Sequence, residues 1–154
     1  MSEAGAVLPG AVLALDLGDQ RIGVAVSDRR RILASPMAVL QRSGDRRAEH
    51  AAILKLVIES DATMVVVGLP LSLSGARGPA AKKAMLEIAE LERELPVPVV
   101  ALDERLSTVE AHRRIREQQG SGRSSRSPVK KKRAVVDDKA AAILLESYLA
   151  QAEK

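Results

Sequence analysis

The chain has 154 residues and almost half are apolar, enough for one globular domain with its own core. It contains no cysteine, phenylalanine or tryptophan and one tyrosine (Tyr148), so the core must be aliphatic, and disulfides and thiolate metal sites are excluded. Its two histidines, His50 and His112, cannot supply a multi-histidine zinc site, and the formal net charge of +4 mildly favours an anionic partner. A bound metal would have to be held by carboxylates, and hard oxygen donors favour Mg2+ or Mn2+.

Residues 1–10 are small and polar, end in Pro9-Gly10 and read as a loose tail; 11–152 read as a single domain. Val12–Leu17 and Ile22–Ser27 read as two strands joined by the tight turn Gly18-Asp19-Gln20-Arg21. One charge, Asp16, interrupts the first apolar run. A carboxylate in a buried strand is costly unless it is paired, for example with Arg21, or binds a metal. Arg29-Arg30-Arg31 reads as a charged turn, and Ile32–Gln41 as a third strand in which Pro36 implies a bulge or an edge position. A helix is expected over Asp45–Glu59, with Ala51, Leu54 and Ile58, flanked by Ile53 and Val57, on its apolar face.

Met64–Leu69 has no polar alternation, which suits a central strand covered on both sides. The stretch from Gly68 to Gly78 reads as a loop carrying Ser72, Ser74 and Arg77. Its glycines, and the N-terminus of a helix opened by Pro79, could offer backbone N–H groups to a phosphate. Ala81, Ala84, Met85, Ile88, Leu91 and Leu95 lie on one face of that helix. Val97–Leu102 reads as a fifth strand ending at Asp103-Glu104-Arg105. Ser107-Thr108-Val109-Glu110 is a capping box that starts a helix running to about Gln118.

Residues 119–133 hold six basic and no acidic residues and read as a flexible basic loop. A last helix is expected over Ala134–Gln151, burying Val136, Ala140, Ile143, Leu144 and Ser147. The element order predicts an α/β fold: a mixed sheet of three antiparallel then two parallel strands, with helices on both faces. No stretch approaches the roughly 18 apolar residues of a membrane span, and no secretion signal is visible, so a soluble cytoplasmic setting is expected.

The carboxylates can then be weighed singly. Glu104 shares parity with Val100 and Leu102 and extends the face they cover. Asp137 and Asp138 in the first turn of the last helix would also serve its dipole. Glu146 stands 2.5 turns from Asp137, on the opposite side of the helix. Asp16, Glu104 and Asp137 could meet at the carboxyl end of the sheet, where ligands of such sheets gather.

ALDLGDQRIGVAVSD, VVVGLPLSLSGARGP, ALDERLSTVEA and VVDDKAAAILLESYL resemble, in order, the motifs of the YqgF/RuvX family. That family is described as Holliday-junction resolvases and as nucleases of the 5′ end of precursor 16S ribosomal RNA. The resemblance spans residues 14–149 and implies an RNase H-like fold. It also implies a metal centre of Asp16, Glu104 and Asp137 holding one or two Mg2+ or Mn2+ ions, with Asp138 the neighbouring alternative for the third ligand. The expected reaction is metal-dependent hydrolysis of a phosphodiester bond in structured nucleic acid. A nucleic-acid-binding assembly factor that keeps the fold without the activity is the alternative. The leading turn also resembles that of sugar kinases and actin, which use two such domains where 154 residues supply one.

Arg21 and Arg105 could stabilise phosphate charge or pair with the adjacent acids. Arg123, Arg126, Lys130, Lys131, Lys132 and Arg133 are expected to contact the nucleic-acid backbone, giving salt-sensitive binding with little sequence preference. The near absence of aromatics argues against base stacking. His50 and His112 read as solvent-facing helix residues. A resolvase would favour a homodimer, since two symmetric cuts are required, whereas RNA trimming needs only a monomer.

Overall fold

A computed structural model describes residues 7–70, 78–104 and 129–152, with 129–138 described as backbone only. Ser72, Ser74, Arg77, Arg105, His112, Arg123 and Arg126 lie outside the described residues, as does the helix expected from Ser107. The described elements are β1 (Ala11–Leu17), β2 (Arg21–Ser27), β3 (Ala34–Gln41), α1 (Arg46–Ser60), β4 (Ala62–Leu69), α2 (Pro79–Glu94), β5 (Val99–Asp103) and α3 (Val129–Ala152). The strands form one sheet in the order β3-β2-β1-β4-β5. β1 is central, antiparallel to β2 and parallel to β4; β2 and β3 are antiparallel, and β4 and β5 are parallel. The mixed sheet expected from the element order is therefore the observed one.

Alternation along the strands divides the core in two. Leu13, Leu15, Val65 and Val67 point to one face, where α1 and α2 cover them with Ile53, Val57, Ile88 and Leu91. Val12, Ala14, Ala25, Val66 and Leu102 point to the other, under Ala141, Ala142, Leu144 and Leu145 of α3. The alanines on both sides of that seam let α3 approach closely. β4 has helices over both faces, which is why its sequence shows no polar alternation.

Short-range chemistry sets the connections. The Asp28 carboxylate accepts hydrogen bonds from the backbone N–H groups of Arg30, Ile32 and Leu33, closing the arginine turn. Pro36 sits on the edge strand beside a bulge, so its missing N–H leaves no ladder bond unmade. Asp45 caps α1 by accepting from the N–H groups of Arg47 and Ala48. Pro79 opens α2 at its first turn.

Three expectations are corrected. The buried stripe of α1 is Glu49, His50, Ile53 and Val57, whereas Ala51 and Ile58 are exposed. His50 is therefore a core residue, not a solvent-facing one. α3 begins at Val129, so Lys130, Lys131, Lys132 and Arg133 stand on a helix rather than in a loop. Asp137 then falls in the third turn, too far from the helix start for the dipole to account for it.

Between α1 and α2 lies a buried polar cluster. Arg42, at the end of β3, forks onto both oxygens of Glu87 at 2.9 and 3.0 Å and reaches Glu49 at 2.9 Å. His50 sits between Glu87 (2.8 Å) and Glu94 (2.6 Å), with one ring nitrogen facing each carboxylate. Burial pushes the Glu87 carboxyl up, and the hydrogen bonds from Arg42 and His50 outweigh it and hold the group below its ordinary range. The same Arg42 donates from Nε to the carbonyl of Gly18 at 3.0 Å, tying the cluster to the β1–β2 turn.

Candidate active site

Asp16 is the sixth residue of β1 and has the parity of Val12 and Ala14, so it points to the α3 face. Its antiparallel partner on β2 is Gly23. On the other side, one step past the Leu15–Val67 pair, stands Gly68 of β4. A glycine thus flanks Asp16 on each neighbouring strand, and the sheet surface is open on the Gly23 side. A depression of about 290 Å³ is lined by Asp16, Gly18, Asp19, Gln20, Arg21 and Gly23. Arg21 lies on the same face as Asp16 and Gly23, beside the turn that Arg42 holds.

Glu104 reaches this place from the far side of β4. Gly68 pairs with Leu102, and Glu104 follows two residues later with the same parity. Its side chain folds back across Gly68: a Cβ built there would meet Glu104 Oε2 at 2.7 Å and Cγ at 3.2 Å. β1 and β5 are two strand spacings apart, roughly 10 Å. The glutamate spans part of that gap and brings its carboxylate toward Asp16. Electrostatics record the approach. Burial pushes the Glu104 carboxyl above its ordinary range, and the charges of Asp16 and Asp103 push it further.

α3 completes the enclosure. Leu144 Cδ2 lies 3.2 Å from the same virtual Cβ at Gly68, while Tyr148 donates its hydroxyl to Met64 Sδ near the start of β4. α3 therefore runs antiparallel to β4, and its N-terminal half extends toward the carboxyl end of the sheet. Position 137 stands seven residues before Leu144, on the same stripe and about 10 Å nearer that end. The backbone thus brings all three expected positions to one end of one face. Among the described residues no group of three metal-ligating side chains forms; what links Asp16 and Glu104 is the charge of the one acting on the carboxyl of the other. Two hard oxygen donors in a half-buried, like-charged pair suit a small divalent cation, which would relieve their repulsion.

Gly68 belongs to β4 rather than to a phosphate-contacting loop. The buried partners Arg42, Glu49 and Glu87 were not anticipated. Glu87 could have been found, because it interrupts the apolar stripe of Ala84, Ile88 and Leu91.

The raised Glu104 pKa has a consequence for stability. The folded chain binds this proton more tightly than the unfolded chain. Stability therefore falls as pH rises from the ordinary value of 4.5 through the raised one. In metal-free protein, Glu104→Gln is expected to raise the melting temperature at neutral pH and to flatten that decline. Thermal unfolding across a pH series measures both, and a lower melting temperature at neutral pH would contradict them.

The match to known proteins agrees with this geometry. A family model described as "RuvX: Holliday junction resolvase" matches residues 10–151. The chain belongs to the RuvX family. A relative from Roseiflexus sp. (strain RS-1) is 38% identical over 141 residues, covering 92% of this chain and 94% of that protein. One from Streptomyces coelicolor is 44% identical over 141 residues, covering 91% of this chain and 80% of the relative. Both bear the name "Putative pre-16S rRNA nuclease". Among solved structures, RuvC of Thermus thermophilus in complex with a Holliday junction substrate aligns with a TM-score of 0.55. It is 17% identical, over 92% of this chain and 96% of RuvC. At that identity the likeness speaks for the fold, which is RNase H-like. Among the described residues no helix is long and apolar enough to cross a membrane.

Proposed function

We propose that this RuvX-family chain is a divalent-metal-dependent endonuclease that hydrolyses phosphodiester bonds in structured nucleic acid. The observation that carries the reading is the Glu104 carboxylate laid over Gly68 toward Asp16, at the open end of the sheet. Asp16 and Glu104 would hold Mg2+ or Mn2+, with Asp137 as third ligand from the facing helix. A cation there would acidify a water molecule and neutralise charge on the leaving oxygen. The protein supplies the rest. The strands fix Asp16, Gly23 leaves room beside it for a sugar-phosphate backbone, and Arg21 lines the same depression, placed to meet phosphate charge.

Lys130, Lys131, Lys132 and Arg133 occupy the opening turns of α3, where the helix dipole disfavours cations and the first turn holds no acidic residue. Local stability does not explain that placement, whereas contact with a polyanion does. On sequence grounds Arg105, Arg123, Arg126, Ser72, Ser74 and Arg77 are proposed to contact nucleic acid as well. The names of the near-full-length relatives favour a ribosomal RNA precursor as substrate, and RuvC shows that this fold can engage a four-way junction. Purified protein incubated with each substrate, with Mg2+ or with Mn2+, is expected to cut the RNA precursor faster. Faster junction cleavage, by a dimer making paired cuts, would reverse the assignment. Binding without cleavage of either would leave a non-catalytic assembly factor.

A further inference from the structure

We infer that Gly68 is the positioning residue of the metal centre: its missing side chain is the seat in which the Glu104 carboxylate lies. This rests on the reading of Asp16 and Glu104 as a cation-holding pair. Gly68 has no backbone need to be glycine, since it lies in a regular stretch of β4 and is absent from the positive-φ residues. A glycine inside a strand costs conformational entropy and packs nothing, so its presence asks for a close approach. The approach is Glu104. A methyl group at Gly68 would stand 2.7 Å from Oε2, which must shift, and 3.2 Å from Cγ, a tight contact. Leu144 at 3.2 Å walls off the α3 side. The methyl group would displace the carboxylate from this place and so change its reach toward Asp16. What moves is the free end of a long side chain rather than backbone, so the geometry would change while the fold persists.

Four purified proteins test this: wild type, Gly68→Ala, Glu104→Asp and the double variant Gly68→Ala/Glu104→Asp. Circular dichroism and thermal melting should show Gly68→Ala folded, melting within a few degrees of wild type. Its Mn2+ affinity by titration calorimetry should fall by roughly ten- to a hundredfold, the range for losing a group that orients a ligand. Shortening the acid should have opposite signs in the two backgrounds. Glu104→Asp weakens Mn2+ binding when Gly68 is present. In the Gly68→Ala background it strengthens binding, because the shorter side chain clears the methyl group. Unchanged Mn2+ affinity in Gly68→Ala overturns the inference and leaves the metal centre standing. Should wild type itself bind no Mn2+, the metal reading fails, and crystal structures of wild type and Gly68→Ala decide the seat alone. A Glu104 carboxylate in the same place in both would overturn it.

Discussion

Asp16→Asn is expected to abolish phosphodiester cleavage while leaving nucleic-acid binding intact. The substitution keeps size and shape in a strand whose neighbours are fully packed, and removes only the charge. Asp16 shares the open end of the sheet with Glu104, so the loss falls on whatever the pair holds and not on the fold. A drop of at least about a hundred- to a thousandfold is expected, the cost of deleting one preorganised charged group at a reacting centre. Binding to the same substrate in the presence of EDTA should be unchanged, because the basic residues of α3 are untouched. Glu146→Gln serves as control, since Glu146 is exposed on the outer side of α3. Full activity in Asp16→Asn would remove Asp16 from the site and with it the assignment of Glu104.

The second large effect concerns stability. Arg42→Ala leaves Glu49 and Glu87, exposed by 7% and 4%, without the guanidinium that bridges them. Breaking a buried charge cluster by removing one partner costs about 3–5 kcal/mol, because the stranded carboxylates remain in the core. Urea denaturation at neutral pH should show a loss of that order. The pH dependence identifies the cause. In wild type Glu87 is held below its ordinary pKa, so its contribution is present above 4.5 and is lost as pH falls through the lowered value. In the variant the share that Arg42 supplies is already gone, while His50 and Arg46 remain beside Glu87. The gap between the two proteins should therefore narrow below pH 4.5. A gap independent of pH would point to lost packing of the arginine stem instead. The variant also releases the carbonyl of Gly18, so a share of the activity should go with the stability.

The family motifs were legible as linear patterns, and so was most of the secondary structure. Asp16 stood out as the one charge in the apolar run of the first strand, and the unbroken apolar run of β4 announced a strand covered on both sides. Pro36 was readable as an edge or bulge residue because a missing N–H has few tolerable places, and both descriptions apply. The face of α1 was misread for a physical reason. Hydrophobicity ranks Ala51 and Ile58 above Glu49 and His50, but a charged group can be buried when its partner is buried with it. Those partners, Arg42 and Glu87, lie on other elements.

The sequence by itself determined which residue types could do chemistry here: without cysteine and with two histidines, only carboxylates are left to hold a cation. It also determined the parity of Asp16 and Glu104 along their own strands, because alternation is a local property of an extended chain. Only the tertiary structure decided that Gly68 stands between them. The register of β1 on β4, and of β4 on β5, is set by packing between segments tens of residues apart, which no local pattern encodes. The direction of α3, and hence the end of the sheet to which position 137 comes, was decided in the same way, by Leu144 over Gly68 and Tyr148 over Met64.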